Sequence, residues 1–254
     1  MPELTVRRGL KPPKRLGFSI TVENACKSFG KTKALEDVDI KVPRGSMFGL
    51  IGPNGAGKST LMKSLIGSVK LDSGRIRVMG INPASEDLRI KAFSGIVPEA
   101  EMPPSFLTPV EYLDFSMHVR GLKPSEKRNR KWLSFFDMED QSDVISRDLS
   151  KGTRQKLMLA SAFIHDPPLL LLDEPFINLD PIYQRMVKDW MRDYTERGGT
   201  VLISTHILSL AEEICDHVTV LHKGGVLKTG KTDVILEGED LESVFLKMVG
   251  YQGS

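Results

Sequence analysis

A glycine-rich run between an apolar stretch and a helical pattern contains the residues best suited to chemistry. It reads Gly52-Pro53-Asn54-Gly55-Ala56-Gly57-Lys58-Ser59-Thr60 and follows the apolar residues 47–51. Glycines can adopt backbone angles closed to other residues, so successive N–H groups can turn towards phosphate oxygens at a helix N-terminus. The order of strand, loop and helix predicts a P-loop for a nucleoside triphosphate, against the alternative of a chance glycine-rich turn.

The side chains of this loop suit the charges of a triphosphate and its metal ion. Lys58 offers a positive charge for the β- and γ-phosphates, and Ser59 offers a hydroxyl ligand for the Mg²⁺ that bridges them. We expect Gly67 to end the helix that follows. The predicted nucleotide contacts are Asn54, Gly55, Ala56, Gly57, Lys58, Ser59 and Thr60.

Two further segments place polar residues directly after short apolar runs. Asp173 and Glu174 follow Leu169–Leu172, and His206 closes the segment Val201-Leu202-Ile203-Ser204-Thr205, which begins with an apolar run. The carboxyl ends of parallel strands are where α/β folds bind ligands. We predict that Asp173 holds Mg²⁺ through water, that Glu174 polarises the attacking water and that His206 reaches the γ-phosphate. The alternatives are a helix cap for the acids and an ordinary polar strand end for the histidine.

A second candidate anion site lies far from the P-loop in sequence. Ser150 and Gly152 precede an amphipathic helical pattern with apolar residues at positions 157, 160 and 164. Ser150 can cap that helix, and with the Gly152 N–H and the helix dipole it can also bind a phosphate. Two distant half-sites suggest that two subunits hold nucleotide between the P-loop of one and the Ser150 turn of the other.

Composition restricts the class of protein. The chain has 254 residues, is 40% hydrophobic and contains no apolar run of about 18 residues or signal-peptide pattern, so we expect a soluble globular protein. Its formal charge is +2, but residues 1–17 carry five basic residues and one acidic residue. The body is therefore slightly acidic, which argues against a nucleic-acid surface. The basic tail is either a solvated extension or a contact to anionic lipid or a membrane partner. Cys26 and Cys215 are expected to be reduced, buried thiols.

The pattern of the whole chain predicts an α/β fold. Alternating apolar residues near the N-terminus predict antiparallel strands, and the continuous apolar runs predict strands buried in a mostly parallel sheet. Between them, a helical pattern interrupted by Pro124 indicates an inserted helical subdomain. The predicted parts are a flexible tail (1–17), a β-rich part with the P-loop (18–104), the helical subdomain (105–165), the second half of the P-loop core (166–223) and a C-terminal turn, strand and helix (224–254).

In these motifs the chain resembles the ATP-binding subunit of an ABC transporter. The matching segments are Walker A at 52–60, the signature at 149–153, Walker B at 169–174, a D-loop ending at Asp180 and the switch histidine at His206. The resemblance implies an Mg²⁺-dependent ATPase that dimerises with a second copy or a homologous subunit. It also implies a separate transmembrane permease, with this chain on the cytoplasmic face of the membrane. Phe29 is implied to stack on adenine, against the alternative of a core aromatic.

Three motifs depart from the family pattern. Glu99 stands where a glutamine usually ligates Mg²⁺, so we expect it at the metal, either directly or through water. The signature has Lys151 and Thr153 in place of glycine and glutamine, and the D-loop has Ile177 in place of serine. Glu99, the terminal segment 241–246 and the single cassette together resemble the branch that exports drugs, antibiotics, lipids or polysaccharides.

The segment after Glu99 carries two apolar stripes. Val110, Leu113 and Met117 form one stripe, and Tyr112, Phe115 and Val119 form the other. The first can face the core and the second, with Phe106, can receive the permease, unless both are buried. Two other functions stay open, namely a soluble ABC-type ATPase on ribosomes or DNA and a nucleotide-gated module that does not hydrolyse. A P-loop GTPase is disfavoured because the sequence lacks an Asn-Lys-x-Asp segment.

Overall fold

The computed structural model describes residues 17–99 and 102–250. The strands are β1 (Phe18–Phe29), β2 (Thr32–Pro43), β3 (Met47–Ile51), β4 (Ser73–Val78), β5 (Ser94–Val97), β6 (Leu169–Asp173), β7 (Thr200–Thr205), β8 (His217–His222) and β9 (Gly225–Lys231). The α-helices are α1 (Lys58–Leu65), α2 (Pro83–Phe93), α3 (Pro109–His118), α4 (Glu126–Phe135), α5 (Lys151–Phe163), α6 (Pro181–Glu196), α7 (Leu208–Ile214), α8 (Thr232–Leu236) and α9 (Leu241–Met248). Short 3₁₀ turns cover Glu139–Gln141 and Ser146–Asp148.

A three-stranded antiparallel sheet forms the N-terminal part, in the order β2-β1-β4. Ile20 pairs with Val42 and Val22 pairs with Ile40, and all four side chains are buried. This is the outcome of the period-two alternation, which directs every second side chain of a strand to the same face. The predicted antiparallel β part is therefore confirmed.

A six-stranded sheet in the order β5-β6-β7-β3-β8-β9 forms the core of the chain. Strands β5, β6, β7, β3 and β8 are parallel, and only β9 runs antiparallel to its neighbour. Every residue of β3, β6 and β7 is buried, as the continuous apolar runs predicted. The α/β class with a mostly parallel sheet is confirmed, and the sheet brings the ends of β3, β6 and β7 to one edge.

The helices α3, α4 and α5 pack together beside this sheet. Trp132 of α4 is buried, with its ring centroid 5.2 Å from that of Phe163 on α5 and 5.2 Å from that of Trp190 on α6. The hydroxyls of Ser116 on α3 and Ser161 on α5 form a buried hydrogen bond of 2.5 Å. These contacts fix α5, and with it the turn at its N-terminus, to the core.

The two apolar stripes of the helical segment have different environments. Leu113 and Met117 are buried, whereas Phe115 and Val119 are 50% and 52% exposed. Tyr112 packs partly against the core and donates its hydroxyl to the sulfur of Met158 at 3.3 Å. The alternative that both stripes are buried is therefore wrong. The stripe that contains Leu113 and Met117 faces the core, as expected.

The structure corrects the prediction that both cysteines are buried. Cys215 is buried, but Cys26 is partly exposed because it lies at a register shift of β1, where its sulfur contacts Asp37.

The basic tail lies outside the described residues except for Gly17. The domain boundaries stay a prediction. Within residues 17–99 and 102–250, no helix is both long and apolar enough to cross a membrane.

Candidate functional site

The glycine-rich loop connects the buried end of β3 to the first residue of α1. Gly57 has φ +109°, and a Cβ atom added there would lie 2.4 Å from the carbonyl oxygen of Ala34. A side chain at this position would therefore be strained and would clash with backbone. The first N–H groups of a helix lack partners within it, so this tight turn makes them available to a ligand at the loop.

A cavity of about 330 Å³ opens at this turn. It brings together most of the predicted loop residues with Glu99 and Glu174, which come from distant parts of the sequence. Its remaining wall comes from the first three residues of β2. The lining residues are Thr32, Lys33, Ala34, Asn54, Gly55, Gly57, Lys58, Ser59, Thr60, Glu99 and Glu174.

Lys58 is the buried cation of this cavity. Its Nζ donates hydrogen bonds to the carbonyl oxygens of Gly52 at 2.7 Å and Pro53 at 3.2 Å. Burial lowers its pKa, while the charges of Glu174, Asp173 and Glu99 oppose that shift. The loop's own carbonyls thus hold the ammonium group beside the position that a phosphate would take.

Three oxygen-bearing side chains suit a magnesium ion: Ser59 and Glu99 line the cavity, and Asp173 lies beside Ser59. The Ser59 hydroxyl donates to Oε2 of Glu99 at 3.1 Å, and the Asp173 carboxylate accepts a hydrogen bond from Ser204. Within residues 17–99 and 102–250, no group of three or more His, Cys, Asp or Glu is placed to hold a metal by itself. Mg²⁺ commonly takes one or two carboxylates and completes its shell with phosphate oxygens and water, so these residues suit it.

The Asp173 carboxylate is only 4% exposed. Burial is the largest cause of a raised pKa at this group, and the charges of Glu99 and Glu174 add to it. The neighbouring hydroxyls of Ser204 and Ser59 lower the pKa and partly compensate. A group of acids this close together favours a cation among them.

Glu174 lies at the carboxyl end of β6 with its side chain directed at the end of β7. It is 6% exposed and has φ +49°, an uncommon backbone conformation for a residue other than glycine. Its Oε1 lies 2.8 Å from Nδ1 of His206 and accepts the His206 N–H at 2.9 Å. The predicted acid and histidine are therefore in direct contact.

The Ser150 turn lies outside the cavity. Ser150 caps α5 by accepting the Thr153 N–H at 3.0 Å, and its side chain faces solvent. A Cβ added at Gly152 would lie 2.8 Å from the carbonyl oxygen of Asn178, so a glycine is needed where the first turn of α5 meets the loop before α6. Asp180 caps α6 by accepting the N–H of Ile182 at 3.0 Å. The structure supports the capping function of Ser150, and its nucleotide contact stays a prediction.

Phe29 is 52% exposed, with the Lys27 ammonium 5.4 Å from its ring centroid. The alternative that it is a core aromatic is therefore wrong. It closes β1 three residues before Thr32, which lines the cavity. Stacking on adenine stays a prediction.

Two buried hydroxyls were missed by reasoning from the sequence. Ser204 donates to Asp173, and Thr205 donates to Oε2 of Glu174 at 3.2 Å. Both belong to β7, which pairs in parallel with β6 so that Asp173 lies opposite Ser204. The available signal was the change from apolar to hydroxyl residues at the end of the run that precedes His206.

Comparison with protein families and curated proteins gives consistent matches. The family model described as ABC transporter matches residues 35–177. The Nod factor export ATP-binding protein I of Bradyrhizobium diazoefficiens is 35% identical over 222 residues, which cover 87% of this chain and 72% of that protein. The daunorubicin resistance ATP-binding protein DrrA3 of Streptomyces coeruleorubidus is 33% identical over 240 residues, covering 93% and 76%.

Solved structures agree with these matches. The ATP binding subunit of an ABC transporter superposes with a TM-score of 0.84 at 32% identity, covering 91% of this chain and 99% of that one. A dimeric ATP-binding cassette in a post-hydrolysis state, bound to ADP and Pi, gives a TM-score of 0.76 at 23% identity and covers 84% and 98%. The second likeness is evidence of the fold alone.

The raised pKa of Asp173 predicts a stability effect that depends on pH. An acid with a raised folded-state pKa binds its proton more tightly when folded, so its ionisation destabilises the fold as pH rises through that pKa. Without nucleotide or metal, Asp173→Asn should raise the thermal unfolding midpoint at pH 7 by roughly 2 °C or more. The gain should shrink as pH falls, because wild-type Asp173 then becomes protonated.

Asp72→Asn serves as the control of opposite sign. Its hydrogen bond from Lys27 is the largest cause of a lowered pKa, so its charge favours the fold above the usual aspartate range. This exposed substitution should leave the midpoint at pH 7 unchanged or lower it. A decreased midpoint in Asp173→Asn at pH 7 would contradict the assignment of Asp173 as a destabilising buried charge.

Proposed function

Because this chain belongs to the ABC transporter family and is an ABC-type ATPase, we propose that it binds Mg²⁺-ATP in the P-loop cavity and dimerises on it. We propose further that hydrolysis powers export through a separate membrane permease. The observation that carries this proposal is the meeting of Lys58, Ser59, Glu99 and Glu174 in one cavity. These residues supply a cation, a hydroxyl and two carboxylates for phosphate, metal and water.

The residues divide the reaction between them. Lys58 and the loop N–H groups bind and orient the β- and γ-phosphates, and Ser59, Asp173 and Glu99 hold the metal. When bound, Mg²⁺ would neutralise part of the phosphate charge as a Lewis acid. Glu174 accepts a proton from the water that attacks the γ-phosphorus, while the bond from that phosphorus to the bridging oxygen of ADP breaks. ADP and phosphate are the products.

His206 can contribute because it already lies at the same edge. Its ring is 43% exposed although it contacts the buried Glu174, so it has room to turn from Glu174 towards the γ-phosphate of ATP. The histidine then orients the substrate and Glu174 acts on water. His206 and Glu174 thus have different roles in the hydrolysis of ATP, although they are neighbours.

A second subunit completes the site in this proposal. Ser150 faces solvent outside its own cavity, at the N-terminus of the 13-residue helix α5. A serine hydroxyl and free N–H groups at such a position suit the γ-phosphate held by another chain. We assign the facing subunit to a second copy of this chain or a homologous ATPase subunit, with ATP between them.

The permease is proposed to bind the exposed stripe of the helical segment. Phe106, Phe115 and Val119 are 74%, 50% and 52% exposed, and apolar surface of this kind commonly marks a protein contact. Such binding would hold the chain at the cytoplasmic face of the membrane. The names of its relatives, Nod factor export and daunorubicin resistance, support the direction of transport. The permease would choose the substrate.

Removal of the proposed base tests hydrolysis. Glu174→Gln should retain ATP binding, because the amide keeps the shape of the side chain, but lose about 10²- to 10⁴-fold in turnover. Isothermal titration with Mg²⁺-ATP and a phosphate-release assay measure the two effects separately. Undiminished phosphate release would exclude Glu174 as the base, and absence of release from the wild-type chain with its permease would support the non-hydrolysing alternative.

Truncation of the exposed stripe tests the permease contact. The double variant Phe115→Ala with Val119→Ala should keep its unfolding midpoint and ATP affinity, since both side chains are half exposed. After mild detergent solubilisation of membranes, the tagged variant should lose a polytopic membrane protein that the wild type retains in near-equal amount. Val234→Ala, at a 62% exposed position on α8, is the matched control. Equal recovery of the partner, or collapse of stability, would contradict this assignment.

A further inference from the structure

The carboxylate of Glu174 is held by both of its oxygens. Oε1 contacts the Nδ1 and N–H of His206 at 2.8 and 2.9 Å, and Oε2 accepts the hydroxyl of Thr205 at 3.2 Å. The Glu174 N–H also donates to the carbonyl oxygen of Ser204 at 3.0 Å. All of these partners come from the end of β7 and the residue after it, so one short segment sets the direction of this side chain.

A second hydrogen bond fixes the direction of the Thr205 hydroxyl. The N–H of Ile207 donates to Thr205 Oγ1 at 3.1 Å. That oxygen therefore acts as an acceptor on one side, and its single hydrogen is available for Glu174 on the other. The result is a short chain of hydrogen bonds from the backbone of Ile207 through Thr205 to Oε2.

The two side chains that hold Glu174 differ in their freedom to move. Thr205 is 1% exposed and is the last residue of β7, paired in the parallel ladder with Ile51. The His206 ring is 43% exposed and lies just beyond the strand. The His206 ring can leave Oε1 without disturbing the sheet, whereas the Thr205 hydroxyl is buried and held by the Ile207 N–H.

We propose that Thr205 is a positioning residue that keeps the Glu174 carboxylate oriented while His206 exchanges it for substrate. This inference depends on the proposed function, in which Glu174 is the base and His206 turns to the γ-phosphate. When the His206 ring departs, Oε1 keeps only the His206 N–H, so its second lone pair can accept the proton of the attacking water. Thr205 retains Oε2 throughout, so the carboxylate does not rotate away at the moment at which it is needed.

The test uses the full chain and compares three substitutions. Thr205→Val removes the hydroxyl and keeps the branched shape, and Thr205→Ser restores the hydroxyl. Thr219→Val is the matched control, because Thr219 is a fully buried threonine on β8 whose hydroxyl bonds to Thr229 at 2.6 Å. The measurements are kcat and KM for Mg²⁺-ATP, ATP affinity and the thermal unfolding midpoint of each variant.

We expect Thr205→Val to lower kcat by about 10- to 100-fold, the effect of losing a hydrogen bond to a charged group, with KM unchanged. Thr205→Ser should recover most of the rate. Thr219→Val should keep kcat within about twofold, even if its unfolding midpoint falls as much as that of Thr205→Val. This contrast separates positioning of the base from a general loss of stability.

A double-variant comparison gives the decisive result. If Thr205 acts through Glu174, adding Thr205→Val to Glu174→Gln should lower the remaining rate by less than about twofold. A full multiplicative loss, or equal rates for Thr205→Val and the wild type, would overturn the positioning role while leaving the proposed function intact. Full activity of Glu174→Gln alone would instead overturn both, since no base would then need to be held.

Discussion

The parallel pairing of β6 with β7 is the constraint on which the rest of the site depends. It places Asp173 opposite Ser204, and it brings Glu174 to Thr205 and His206 at the same edge. The pairing of β3 with β7 adds the P-loop, because Ile51 lies opposite Thr205. Residues separated by more than a hundred positions in sequence thus meet because parallel strands end together. A shift of one residue in β7 would turn each of its side chains to the opposite face of the sheet and separate Ser204 and Thr205 from their carboxylate partners.

This arrangement buries ionisable side chains, and burial disfavours their charged forms. Asp173 and Glu174 are almost completely buried beside each other, and Lys58 is 6% exposed with its ammonium on carbonyl oxygens. Burial raises the pKa of Asp173 and lowers that of Lys58, so both charged forms are disfavoured by their surroundings. Hydroxyl and carbonyl groups of the strand ends and loop offset part of the cost. A triphosphate with its metal ion would supply the remaining complementary charges.

Much of the fold and most of the site could be predicted because the signals are local. The glycine-rich loop, the apolar runs and the alternating strands each determine a nearby element, and α3 was expected to bury one stripe. The partial exposure of Cys26 was not predicted, because it depends on a register shift between strands. Ser204 and Thr205 were missed because their importance arises only from pairing with β6. The exposure of Phe29 also depends on tertiary packing, which leaves this last residue of β1 about half exposed.

We propose that the edge of this sheet is half of a site that a second subunit completes around ATP. Sedimentation equilibrium of the Glu174→Gln chain, with saturating Mg²⁺-ATP or Mg²⁺-ADP, measures whether two chains associate on the nucleotide. We predict a species of twice the 28.3 kDa chain mass in ATP and a species of single mass in ADP. A single-mass species in ATP, with binding verified by titration in the same sample, would contradict the account of two copies closing on nucleotide.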